Sequence, residues 1–126
     1  MQLSTRRFVV IGRDEVPAFA AAAEMQPWVA GAGSLIVGWS TLAESPGATA
    51  DVFISLTQME TAAVALGYGT CWLGIWDRDA VTRLIRGQQG GKVVSILAGG
   101  PAAGEGAPKA KLPLSKLVGR GRLLAE

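Results

Sequence analysis

Two short stretches hold the residues whose types and spacing could do chemistry. "CWLGIWD" (71–77) sets the sole cysteine, two tryptophans and an aspartate around Gly74, and "PKAKLPL" (108–114) carries Lys109 and Lys111 two positions apart. Lysines at i and i+2 of an extended segment project to one side. They could form an anion site, or they could belong to an ordinary solvated basic tail. Nothing else in the sequence makes a catalytic group by itself. There is no histidine, which removes Ser–His and Cys–His catalysis, histidine-ligated zinc and any imidazole base. Cys71 has apolar sequence neighbours and reads as a buried structural thiol. Asp77 and Asp79 flank a helix start and read as helix-capping residues rather than a catalytic acid pair. If the chain is an enzyme, a cofactor carries the chemistry.

The glycine-rich stretches do not supply a nucleotide loop. A dinucleotide fingerprint needs a strand, G-x-G-x-x-G and then a helix whose N–H groups face the pyrophosphate. "GAGSLI" (31–36) has isoleucine at the third glycine position and precedes a strand. "GYGTCW" (67–72) has tryptophan there and follows a helix. No G-x-x-x-x-G-K-[ST] loop and no G-x-S-x-G elbow is present.

These residues need a scaffold, and 126 residues suffice for one domain with one core. The composition is 49% hydrophobic and 17% charged, with a mean hydropathy of +0.31. The surplus of apolar side chains is most simply covered in an oligomer. A net charge of +2 is too mild to argue for nucleic acid, although Lys109, Lys111, Lys116, Arg120 and Arg122 crowd the C-terminal end. No apolar run approaches the ~20 residues of a membrane span. The basic start before "FVVIG" is cut short by Arg13, Asp14 and Glu15, so it does not read as a signal peptide. A single cysteine fits a reducing, cytoplasmic compartment.

The pattern along the chain alternates strand and helix. "RFVVIG" (7–12) reads as a strand, and 13–25 as an alanine-rich helix with Asp14 as N-cap. "SLIVGW" (34–39) is a second strand. Residues 48–66 form a long helix, apolar on more than one side and closed by Gly67. "TCWLGIW" (70–76) reads as a short strand, Asp77 opens a brief helix, and "KVVSILAGG" (92–100) is a strong strand. The rest is an extended Pro-, Gly- and Lys-rich arm. The domain therefore spans 1–103 and the basic arm 104–126.

The ordered series "ALGYGTCWLGIWD", "RDAVTRLI", "KVVSILAGGPA" and "KAKLPLSKLV" resembles the C-terminal portion of the FMN-dependent nitroreductases. In that family an interface helix ends in an "LGLG-x-x-W-x-G" type segment, followed by a strand ending in glycine and proline and a basic "PL" arm. The likeness covers 48–118 and extends more weakly back through "PWVAGAGSLIVG". It implies an α+β fold: a mixed, mostly antiparallel sheet of about four strands with packed helices, in a dimer whose interface includes the helix at 48–66. It implies an FMN-dependent oxidoreductase that passes hydride from NAD(P)H through the flavin N5. Leu73, Gly74 and Ile75 would then lie against the flavin ring, with Gly74 donating its amide to N5. Glycine suits that task because no side chain holds the ring away. A glycine that merely bends the strand is the plainer alternative. Lys109 and Lys111 would bind the phosphate.

The sequence departs from the family at its front. An Arg/Ser-rich segment and a ring-contacting stretch normally precede the first strand. Here "STRR" (4–7) runs straight into it, leaving Arg6 and Arg7 as the phosphate candidates. Three arrangements are open: a homodimer that completes the site, a split enzyme whose second chain supplies the front, or a non-catalytic subunit that has lost the flavin.

Overall fold

A computed structural model describes residues 4–125. Four strands form one antiparallel sheet in the order β1-β2-β4-β3: β1 Arg6–Gly12, β2 Ser34–Ser40, β3 Tyr68–Trp72 and β4 Lys92–Pro101. Every pairing among the described residues is antiparallel. Helix α1 (Val16–Ala22), a 3-10 turn (Pro27–Gly31) and helix α3 (Arg78–Leu84) supply side chains to one face, and the long helix α2 (Pro46–Ala65) covers the other. The expected α+β sheet of four strands with packed helices is the architecture found.

Strand alternation assigns the two cores. Leu35, Val37 and Trp39 of β2 meet Val16, Phe19, Val29 and Val81 on the first face. Ile36, Val94 and Leu97 meet Val52 and Leu56 of α2 on the second. The register slips once: Gly38 faces Ser95, but Trp39 faces Val93, which leaves Val94 as the extra residue of a bulge. Trp39 then lies between Gly87 and Gly91. A Cβ at position 87 would stand 2.5 Å from its Cη2, and one at 91 would stand 2.3 Å from its Cζ2.

Three boundaries differ from the sequence reading, the two helix starts for local reasons and the end of β3 through a tertiary contact. Helix α1 begins at Val16, with Glu15 as an N-cap that makes no side-chain cap bond; Asp14 lies in the turn closed by Glu15 N–H to Gly12 O at 2.9 Å. Helix α2 begins earlier than 48, because Ser45 Oγ accepts from Ala48 N at 3.2 Å and Pro46 occupies the first helical turn. Strand β3 stops at Trp72 rather than Trp76. Gly67 does follow α2 with φ +85°, in the left-handed region that favours glycine. Helices α1 and α3 also end through left-handed residues, but these are Glu24 (φ 54°) and Arg86 (φ 55°). Around them Met25 N bonds Ala20 O at 3.0 Å, and Gly87 N bonds Thr82 O at 2.8 Å.

Beyond β4 the chain runs as an exposed arm with a single helical turn, α4 (Leu114–Leu117). No helix among the described residues is long and apolar enough to cross a membrane.

Candidate functional site

The segment after β3 is held at its ends and bare in its middle. Leu73 is buried, and its N–H donates to Ile96 O at 3.0 Å, the last bond between this edge of the sheet and β4. Its carbonyl accepts from the Trp76 indole N–H at 3.2 Å. At the other end, Asp77 N–H donates to Ala23 O at 2.8 Å, which draws the chain off the sheet toward the end of α1. The Asp77 carboxylate accepts from Ala80 N at 2.9 Å and caps α3, as its place before "RDAV" predicts. Arg78 lies with its guanidinium carbon 5.0 Å from the centre of the Trp76 ring and donates to Val93 O.

Gly74 and Ile75 sit between these anchors. Both are exposed, and neither N–H donates to another group among the described residues. Nothing lies within 4 Å of where a Cβ at Gly74 would stand. The two tryptophans of the segment serve opposite faces. Trp76 packs against the α1-side core, while Trp72 packs against the α2-side core with its ring centroid 6.0 Å from that of Phe53. Both are packing residues.

Cys71 is exposed rather than buried. It lies on edge strand β3, on a face where the 3-10 turn and the start of the arm leave a cavity of about 400 Å³ beside Trp28. Apolar sequence neighbours could not reveal that the helical layer stops short of this edge.

The remaining candidates do not converge with Gly74 within one chain. Lys109 and Lys111 are exposed in the arm, in a stretch with no helix or strand. Arg6 and Arg7 lie on β1, the opposite edge strand from β3. Arg7 bonds the Ser4 and Arg6 carbonyls at 2.9 and 2.8 Å. Arg6 lines a polar cavity of about 500 Å³ at the start of α2, where Asp51 lines the same space and offers it a counter-charge.

A larger, mostly apolar cavity of about 580 Å³ lies between the C-terminal half of α2 and the far end of the sheet, with Arg13 in its lining. Its floor includes Gly33, Thr70, Gly99 and Gly100. Sequence reasoning missed these residues, although "GAGS" and "AGGP" mark the places where two backbones approach: a Cβ at Gly33 would stand 3.2 Å from Gly100 Cα. The Trp76–Arg78 contact was missed as well, and an aromatic two residues before an arginine was its only local signal.

The sequence profile of the nitroreductase family matches residues 4–100. This chain belongs to the nitroreductase family. A search of curated protein sequences returns no match. Among solved structures, the chain is similar to NfrA1 of B. megaterium, with a TM-score of 0.81 at 18% identity over 96% of this chain. It is also similar to an FMN-dependent nitroreductase from Clostridium difficile R20291 (TM-score 0.79, 17% identity, 96% of this chain and 78% of that one). A third likeness is to the NADPH:FMN oxidoreductase of Vibrio harveyi complexed with NAD+ (TM-score 0.80, 17% identity, 96% of this chain). This nitroreductase-family chain spans 59% of the length of NfrA1 and 60% of the Vibrio enzyme. Identities at this level establish the shared fold alone.

Proposed function

We propose that this chain acts as a nitroreductase-type oxidoreductase that binds FMN and takes hydride from NAD(P)H. The observation that carries the reading is that Gly74 and Ile75 are exposed residues whose N–H groups have no partner among the described residues, in the segment that resembles the family's W-x-G. A flat ring can lie on main chain only where no side chain intervenes, and the open space at Gly74 meets that need. FMN, when bound, supplies two-electron hydride chemistry at N5. The protein's part is placement. The Gly74 N–H would be the donor offered to the flavin, and a pre-oriented dipole of this kind needs no reorganisation during a reaction. Leu73, tied to β4 through Ile96 O, would hold the segment beneath the ring, and Ile75 would offer it an apolar side chain.

Lys109 and Lys111, exposed in the arm and not brought to Gly74 within one chain, would hold the phosphate of a flavin on a partner subunit onto which the arm crosses, as two point charges adequate for a dianion though without arginine's planar fork. Arg6 and Arg7, on the opposite sheet edge, serve a phosphate only if a partner subunit brings one to them. The single cysteine, exposed on β3, suits a reducing cytoplasm.

A second reading rests on the apolar side chains left in the open. Phe53, Ile54 and Val64 on α2, and Leu112, Leu114 and Leu117 in the arm, are each at least 43% exposed. Surface of this kind is normally covered. We propose that a partner covers it: a second copy of this chain in a homodimer with crossed arms, or a separate chain that supplies further flavin contacts. A subunit of the second sort is inactive alone.

The absorbance spectrum decides between the enzyme, homodimeric or not, and the subunit that is inactive alone. A purified protein that takes up added FMN and bleaches with NAD(P)H without oxygen supports the enzyme. A colourless protein that retains no FMN overturns it in favour of the incomplete subunit.

A further inference from the structure

We propose that Trp76 and Arg78 are positioning residues that set the direction of the Gly74 N–H; this rests on the FMN reading above for what that N–H meets. Leu73 C=O and Gly74 N–H belong to one rigid plane, and, with no cis peptide among the described residues, they point in opposite directions. Whatever fixes the carbonyl therefore fixes the amide. The carbonyl is fixed by the Trp76 indole, 3.2 Å from it. Arg78, stacked at 5.0 Å, holds the indole in turn, and Arg78 is tied to Val93 O on β4. The direction of one exposed N–H is thus referred back, through a guanidinium and an indole, to a central strand of the sheet.

The segment needs such a device because its ladder ends at Leu73. Beyond the Leu73–Ile96 bond, no strand holds Gly74 or Ile75, and exposed segments with few bonds open locally. A glycine with open space around it is the residue least able to hold its own orientation. Trp76 and Asp77 close the segment within four residues, so Gly74 is presented outward while its own backbone stays free of intrachain bonds. A purely structural role for Trp76 would be met by its packing against the α1-side core and would not need the indole N–H.

The test uses the full chain with Trp76→Phe, which keeps a ring but removes the donor, and with Arg78→Ala and Arg78→Lys. The one-bond N–H residual dipolar coupling of Gly74 reads the amide's direction whether or not flavin is present. It should change in Trp76→Phe and Arg78→Ala while couplings along β4 stay fixed, and Arg78→Lys should move back toward wild type. In FMN-loaded protein, loss of the hydrogen bond should weaken FMN binding about five-fold and shift the flavin's midpoint potential. An unchanged Gly74 coupling in both Trp76→Phe and Arg78→Ala overturns the clamp. A changed coupling with unaltered FMN affinity and potential overturns its role toward the flavin. If wild-type protein takes up no FMN, the functional reading fails, and the coupling alone still decides whether the clamp exists.

Discussion

Gly38 of β2 lies directly beneath Val52 of α2: a Cβ at position 38 would come 2.5 Å from Val52 Cγ1 and 3.0 Å from Leu56 Cδ1. The long helix is therefore seated on bare backbone. Val52 and Leu56 are both fully buried, and they reach the sheet because β2 presents no side chain there. Gly38→Ala should cost about 1–3 kcal/mol by overpacking, read as a lower urea midpoint with an unchanged slope. A wild-type midpoint would mean that α2 does not sit this close.

Gly74 is the opposite kind of glycine. Its surroundings are empty, and its φ lies outside the left-handed region. Gly74→Val should leave the thermal midpoint within a few degrees of wild type, as surface changes within about 0.5 kcal/mol do. It should abolish FMN uptake as followed by quenching of flavin fluorescence, because a branched side chain lifts the ring from the main chain. Retained uptake would remove Gly74 from the site.

Replacing Lys109 and Lys111 together with alanine separates a phosphate grip from a solvated tail. Both side chains are exposed, so stability should not change. A charge-assisted hydrogen bond is worth about 1.5–3 kcal/mol, so the double variant should weaken FMN at least ten-fold. Its binding should also become less sensitive to salt than that of the wild type. Equal affinity, and equal salt dependence, would assign the pair to the tail.

Glu24 and Arg86 hold left-handed backbone at the ends of α1 and α3. A side chain there costs roughly 1–2 kcal/mol, and glycine gives back about half of that in chain entropy. Glu24→Gly and Arg86→Gly should each stabilise the fold by about 0.5–1 kcal/mol in chemical denaturation. Distant sites of this kind should also add.

Much of the scaffold was legible because its signals are local. The apolar runs of β1, β2 and β4 and the helix ending at Gly67 all declare themselves within a few residues. The end of β3 does not. "TCWLGIW" remains apolar through Trp76, and only the pull of Ala23 on Asp77, from the other side of the sheet, makes the chain leave at Trp72. Cys71 was misjudged for the same reason. Its exposure depends on how far a neighbouring layer extends, which is a property of tertiary packing. Of the candidate site, the W-x-G segment could be found by likeness of order and spacing. The Trp76–Arg78 contact that steers it could not, since it depends on where Val93 comes to lie.

The bed of Trp39 has a consequence for how this sequence can change over time. Gly87 and Gly91 are the cast of an indole, so the three positions form one heritable unit. A larger residue at 87 is barred while tryptophan stands at 39, and loss of the ring leaves only the Thr82 methyl, 2.9 Å away, to give way. Position 91 stays closed even then, because its Cβ would still stand 2.6 Å from the backbone oxygen of Ser40. Drift can therefore open 87 only after the ring is lost, and does not open 91 by that route.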